Sequence, residues 1–293
     1  MLSGVQCLVT GANAGIGFHT ARVLAQRGAS VWLACRSSAR AAAAMEAIRR
    51  VAPSADLRFV PLDLADLASI ADAARHVLDA GPIDLLFNNA GVMTKGESPP
   101  TRDGFETQVG VNHLGHFALS AHLLPHLRDR VGARIVTVAS LAANGGEIDF
   151  EGLRATHGDS AFRRYRMSKL ANLLFAFELS RRLERGGCAA RSLACHPGAA
   201  ATEILRAWPR PLVALALPAM RVLLNSAAAG ALPSLYAATN PSLMGGEYVG
   251  PSGFLGLRGR VQVTRAGENA YDAEDAARLW QHSIELTGVD PGI

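Results

Sequence analysis

Tyr165 and Lys169, four residues apart, are the pair in this chain best suited to moving a proton. Residues at that spacing share one face of a helix, so a phenol and an ammonium can enter the same cleft. A phenol ordinarily titrates near 10, too high for ready exchange at neutral pH, and a neighbouring ammonium favours its ionised form. Lowering it by about three units takes roughly 4 kcal/mol of differential interaction. Lysine is scarce here: Lys95 and Lys169 are the only two among 29 basic residues, so arginine carries positive charge wherever it serves. Ser140 closes the apolar run that begins at Arg134. A hydroxyl at such a strand end can donate a hydrogen bond to an oxygen on which charge develops.

A second chemical feature lies near the start. Thr10-Gly11-Ala12-Asn13-Ala14-Gly15-Ile16-Gly17 follows a short apolar run and opens a helical pattern. Glycine reaches backbone angles closed to other residues and lets a ligand approach the main chain. A helix N-terminus then offers unpaired N–H groups to a phosphate. The setting reads as a dinucleotide turn, with Gly11, Asn13, Gly15, Ile16 and Gly17 as candidate contacts. Sites for an unphosphorylated adenosine ribose place a carboxylate after the second strand. This chain has Cys35-Arg36 there. A guanidinium suits a 2′-phosphate, so NADP(H) is expected over NAD(H).

These residues need elements to hold them. Apolar runs predict strands over 5–10, 30–35, 57–62, 83–87, 134–139 and 190–195. Helical patterns alternate with them over 16–27, 38–51, 66–78, 105–127 and 162–185, with Asp63 or Asp66 as cap of the third. Such alternation predicts a parallel sheet covered on both faces. Two stretches break it, 144–161 and 199–225, and both follow strand ends, where ligands sit in open α/β sheets. No shift in composition marks a boundary, so one domain over 1–293 is expected.

Taken in order, the glycine turn, Ser140, Tyr165 and Lys169 resemble the short-chain dehydrogenase/reductase family. The resemblance implies an α/β fold, a single doubly wound Rossmann domain with a mainly parallel seven-stranded sheet and helices on both faces. It implies Asp63 and Leu64 beside the adenine, and Asn89, Ala90 and Gly91 of Asn88-Asn89-Ala90-Gly91 along the adenosine ribose side. Asn112 would be the fourth catalytic residue, supporting a water-linked proton path from Lys169, which also holds the nicotinamide ribose. Pro197 and Gly198 would contact the nicotinamide side, and Thr202 its carboxamide. The segments 165–175 and 148–153 are similar to the retinol dehydrogenase-like branch, and 245–251 to its bacterial members. The implied activity is hydride transfer between nicotinamide and a lipophilic aldehyde, ketone or alcohol. A sugar-nucleotide epimerase or dehydratase, and a non-catalytic NADPH-binding regulator, are the rival expectations.

Composition narrows the partners. The net charge of +4 comes from scattered basic residues with no block of interleaved aromatics, so no nucleic-acid surface is expected. Cys7, Cys35, Cys188 and Cys195 form no Cys-x-x-Cys pair and read as free thiols. His113, His116, His122 and His126 fall at helical spacings without a carboxylate or cysteine in ligand pattern, so no metal is expected. The apolar stretch 212–224, broken by Pro218 and Arg221, is too short to span a bilayer. It reads as a substrate lid over 199–225 in preference to a membrane-surface helix. Strand one begins so near Met1 that no leader is expected, which points to the cytoplasm. The long helices 105–127 and 162–185 are candidate pairing surfaces for a homodimer or homotetramer.

Overall fold

Cys7, Leu8 and Val9 point alternately to two sides of a sheet, and both sides are covered. The computed structural model describes residues 1–154, 160–198 and 225–293. Its strands are β1 (Gln6–Thr10), β2 (Ser30–Cys35), β3 (Leu57–Pro61), β4 (Leu85–Asn88), β5 (Arg134–Val138), β6 (Arg191–Cys195), β7 (Tyr248–Pro251) and β8 (Val261–Thr264). They form one sheet in the order β3-β2-β1-β4-β5-β6-β7-β8. The first seven run parallel, and β8 pairs antiparallel with β7. The doubly wound α/β expectation holds. The count of seven strands does not, because the chain turns back after β7 and adds an eighth. That turn spends Gly256 and Gly259 at φ 69° and 126°, and β8 is short and half-exposed, with little apolar signal.

One face carries α1 (Gly15–Gln26), α2 (Ser38–Arg49), and the later helices α7 (Ala227–Gly230) and α8 (Leu232–Thr239). Val9, Leu33, Phe87 and Val136 meet Leu24, Ile48 and Leu235 there. The other face carries α3 (Leu67–Asp79), α5 (Gly115–Leu127), α6 (Ala161–Arg185) and the C-terminal α9 (Ala273–Thr287). Leu8, Leu86 and Ile135 meet Phe117, Leu123, Phe175 and Trp280 on that side. Each fully buried Leu, Ile or Phe contributes roughly 1.5–3 kcal/mol.

The predicted helix 105–127 is not uniform. A one-turn α4 (Thr107–Val109) leads into a π-helical turn, Gly110–Leu114, and then into α5. Asn112 sits inside this wider turn, the kind of helix defect that collects at functional sites. Asp66 caps α3, its carboxylate accepting from the Ala68 and Ser69 N–H groups. Asp63 instead turns its side chain onto the Ala65 N–H.

The α9 helix is well bounded. Asp272 caps its start, Glu274 and Asp275 occupy the first turn, and Gly288 closes it at φ 68°. It lies against α5 and α6, the helices whose outer face the sequence offered for subunit pairing. Trp280 stacks on Phe175 at 5.9 Å and meets Phe117 edge-on at 5.2 Å.

Candidate active site

β1 has β2 on one side and β4 on the other, so strand order reverses at β1 and the crossovers diverge there. A crevice opens at the carboxyl ends of the strands at such a point. Here it is a cleft of about 670 Å³. The Thr10–Gly17 turn forms one wall. Gly11 and Gly15 take φ of 67° and 56°, which side chains disfavour. A Cβ on Gly17 would strike Asn89 Nδ2 and the Gly11 carbonyl. The first turn of α1 has no side-chain cap and no acidic residue, so its polar end faces the cleft unneutralised. Glycine backbone and helix end together fit a dinucleotide pyrophosphate.

Thr10 joins this turn to the next loop. Its hydroxyl oxygen accepts from the N–H groups of Asn89 and Ala90, both at 2.9 Å. Asn89 Nδ2 donates back to the Thr10 carbonyl at 2.7 Å. The strip Asn89-Ala90-Gly91 is thereby fixed along the cleft wall. Beyond it, Asn112 clasps Val92: the Val92 N–H donates to Oδ1 at 2.7 Å, and Nδ2 donates to the Val92 carbonyl at 2.9 Å. Asn112 Nδ2 also lies 2.9 Å from Ser168 Oγ, so the π turn is tied to α6. The side chain bonds across the site, not to its own helix.

Tyr165 and Lys169 lie one turn apart on α6, and both are buried. Lys169 Nζ stands 5.8 Å from the centre of the Tyr165 ring. The ammonium also donates to the Val138 carbonyl at 3.2 Å, as does Asn172 Nδ2. These bonds anchor α6 to the end of β5, two residues before Ser140. Ser140 begins a 3-10 turn, Leu141–Gly145, by accepting from the Ala142 N–H. A Cβ on Gly91 would come within 3.2 Å of Lys169 Nζ, so the Asn89–Gly91 strip and the lysine are neighbours.

At the opposite end, Arg36 and Arg40 line the cleft with Cys35 and Ser37, facing Leu62, Asp63 and Leu64. Past β6, the His196 ring accepts from the Gly198 N–H, and Asn225 donates to the Pro197 and Leu257 carbonyls.

The cleft wall contains Gly11, Asn13, Gly15, Ile16 and Gly17 of the first turn, Arg36, Asp63 and Leu64 of the opposite end, and Asn89, Ala90, Gly91, Lys169 and Pro197. Asn112, Ser140, Tyr165 and Gly198 are not part of that wall. Thr202, and the expected lid except for Asn225, lie outside the described residues. Sequence reasoning missed Thr10 as an organiser, Arg40 as a second cation, and Val92, Val111 and Val138 as an apolar inner wall. Arg40, four residues past Arg36 in the first turn of α2, carried a readable signal; the valines did not.

Burial governs the titratable groups nearby. It holds His116 down to about 4, the bond to the Asn112 carbonyl opposing and the Lys169 charge assisting. It likewise lowers His196 to about 4, and lowers His113 to about 3 with help from His116. The Cys195 thiol is pushed up to about 12 by burial, against the Ser234 bond and the Lys169 charge. The thiol is therefore held in its protonated form near neutral pH. Among the described residues no cluster of His, Cys, Asp or Glu can hold a metal, and no helix is long and apolar enough to cross a membrane.

A family model for short chain dehydrogenases matches residues 6–211. Human retinol dehydrogenase 13 is 39% identical over 297 residues, covering 99% of this chain and 86% of its own length. A crystal structure of an uncharacterised protein from Mycobacterium paratuberculosis superimposes with a TM-score of 0.81 at 39% identity, covering 100% of this chain and 96% of that one. A short chain dehydrogenase from Burkholderia cenocepacia, solved in complex with NADP, gives 0.64 at 25% identity, over 84% of this chain and 96% of that one.

Proposed function

The chain belongs to the short-chain dehydrogenase family and is an oxidoreductase of CH–OH groups, and from that premise we propose that it interconverts a lipophilic alcohol with its aldehyde or ketone using NADP(H). The observation that carries the reading is the buried Tyr165–Lys169 pair, one helical turn apart on α6, with Lys169 lining the cleft and Tyr165 just behind it. Nicotinamide, when bound, supplies or accepts the hydride.

The chain's own residues do the rest. Gly11, Asn13, Gly15, Ile16 and Gly17 hold the pyrophosphate against the start of α1. Arg36, with Arg40 beside it, takes the 2′-phosphate. Asp63 and Leu64 flank the adenine, and Asn89, Ala90 and Gly91 line the ribose. Pro197, Gly198 and Thr202 seat the nicotinamide side. Tyr165 gives its hydroxyl proton to the substrate oxygen in reduction and takes it back in oxidation. Lys169 holds the nicotinamide ribose and stabilises the phenolate that Tyr165 becomes. Ser140 donates to the same substrate oxygen. Asn112 keeps the path to Lys169 in register through Val92 and Ser168.

The apolar substrate class is supported by a relative named for retinol, itself an apolar alcohol. Tyr165→Phe tests the reading. With a panel of aliphatic and aromatic aldehydes, NADPH consumption should fall at least a thousandfold while NADPH binding stays within a few-fold. Unchanged turnover refutes the assignment of Tyr165.

A further inference from the structure

His116 is fully buried in α5, and both of its ring nitrogens are engaged. Nδ1 lies 2.9 Å from the Asn112 carbonyl oxygen, and Nε2 lies 2.9 Å from Thr10 Oγ1. The ring therefore bridges the π turn beside α6 to the end of β1, 106 residues away in sequence. A carbonyl oxygen can only accept, so Nδ1 must carry the hydrogen. A neutral ring then presents a bare lone pair at Nε2, and the Thr10 hydroxyl donates to it. The Thr10 oxygen keeps its lone pairs for Asn89 and Ala90. The alternative tautomer would set two acceptors against each other at Asn112 and give Thr10 Oγ1 three donors.

From this geometry we infer that His116 is a positioning residue for the dinucleotide: its Nδ1–H tautomer orients the Thr10 hydroxyl, and through it the Asn89-Ala90-Gly91 strip, while gripping the Asn112 carbonyl. The inference rests on the proposed NADP(H) reading and deepens it. His116 does not line the cleft; its influence passes through Thr10 on one side and Asn112 on the other. The Thr10 hydroxyl also lies within hydrogen-bond distance of the Phe87 carbonyl, at 3.1 Å, so its proton is divided between that oxygen and the closer His116 Nε2. Both ends of the site are served by one ring, so cofactor grip and catalytic alignment fall together when it is removed.

The test uses His116→Phe, which fills the space without either bond, and His116→Gln, whose amide offers one donor and one acceptor. NADPH affinity is read by fluorescence titration on the folded protein, with thermal unfolding alongside. The phenylalanine variant should bind NADPH at least tenfold more weakly, and the glutamine variant should recover most of that loss. Thr10→Val should cost a similar factor, and the double variant should cost no more than either alone. In the parent, 15N spectra of labelled histidine should show a ring assigned to His116 by its loss in His116→Gln and protonated at Nδ1 alone. A parent that binds no NADPH overturns the NADP(H) reading and this inference with it. A parent that binds, with a folded phenylalanine variant binding equally well, overturns this inference alone. An Nε2-protonated ring overturns it even where the phenylalanine variant fails to fold.

Discussion

Asn112 and Val92 meet through two hydrogen bonds, the Val92 N–H to Oδ1 at 2.7 Å and Nδ2 to the Val92 carbonyl at 2.9 Å. One amide side chain thus stands in for a strand neighbour and ends the Asn89–Val92 strip. The same Nδ2 faces Ser168, whose hydroxyl donates to the Tyr165 carbonyl at 2.8 Å. A chain of bonds therefore runs from the Asn89–Val92 strip to the backbone of the tyrosine. Asn112→Leu removes the amide and strands both Val92 groups. Each stranded group costs about 1–3 kcal/mol, so urea unfolding should show a loss of about 2 kcal/mol or more. Turnover of the folded variant should drop by more than the NADPH affinity does. Equal losses in both would mean that Asn112 serves cofactor binding alone.

Arg36 and Arg40 line the end of the cleft proposed to take the adenosine 2′-phosphate, and Asp63 also lines that cleft. Removing a charge-assisted bond costs about 1.5–3 kcal/mol, a factor of roughly ten to one hundred and fifty. Arg36→Ala should raise the NADPH dissociation constant by such a factor and leave NADH binding nearly unchanged. Titration of both cofactors against parent and variant checks this. A matched loss for both would place Arg36 away from the 2′-phosphate.

Three buried histidines make the fold acid-sensitive. Burial lowers His113 to about 3 and His116 and His196 to about 4, from 6.5. The unfolded chain takes up protons near pH 6.5, whereas the folded chain resists until near 4. Stability is therefore full above about 6.5 and falls as pH drops toward 4. Shifts of this size are worth about 3–5 kcal/mol per group, against typical total stabilities of about 5–15 kcal/mol. Urea midpoints measured from pH 7.5 to 4.5 should decline steadily over the lower half of that range. A flat profile would contradict the burial of these rings.

The sequence exposed what is local and periodic. The glycine turn, Ser140, Tyr165 and Lys169 sit in contiguous motifs, and strands buried on both faces leave continuous apolar runs. What it concealed depends on residues far apart in the chain. Thr10 and His116 are each unremarkable until the fold brings them to 2.9 Å. His116 looked like one of four histidines on a helix, and its partners lie on another strand and inside a π turn that hydrophobic periodicity does not register. The eighth strand was missed because Val261-Gln262-Val263-Thr264 is short and mostly exposed, and its pairing depends on a glycine-rich reversal. The covering of α5 and α6 by α9 was hidden for the same reason: the 273–287 pattern is amphipathic without saying which face it meets.

That covering yields the last prediction. Trp280 is buried between Phe117 and Phe175, and the Arg182 guanidinium sits 4.5 Å above its ring. Ser283, one turn further along α9, lies 3.0 Å from His113 Nε2. The helix therefore seals an aromatic seam that would otherwise face solvent. Trp280→Ala opens a cavity there and should cost about 3–5 kcal/mol in urea unfolding. With its anchor gone, α9 should lift and bare the Phe117–Phe175 face, an apolar patch of the kind that drives association. Sedimentation velocity of the folded variant should then show larger species than the parent at equal concentration. A variant with the parent's size distribution and a loss below about 1 kcal/mol would mean that α9 is held by its other contacts, and that Trp280 is not its anchor.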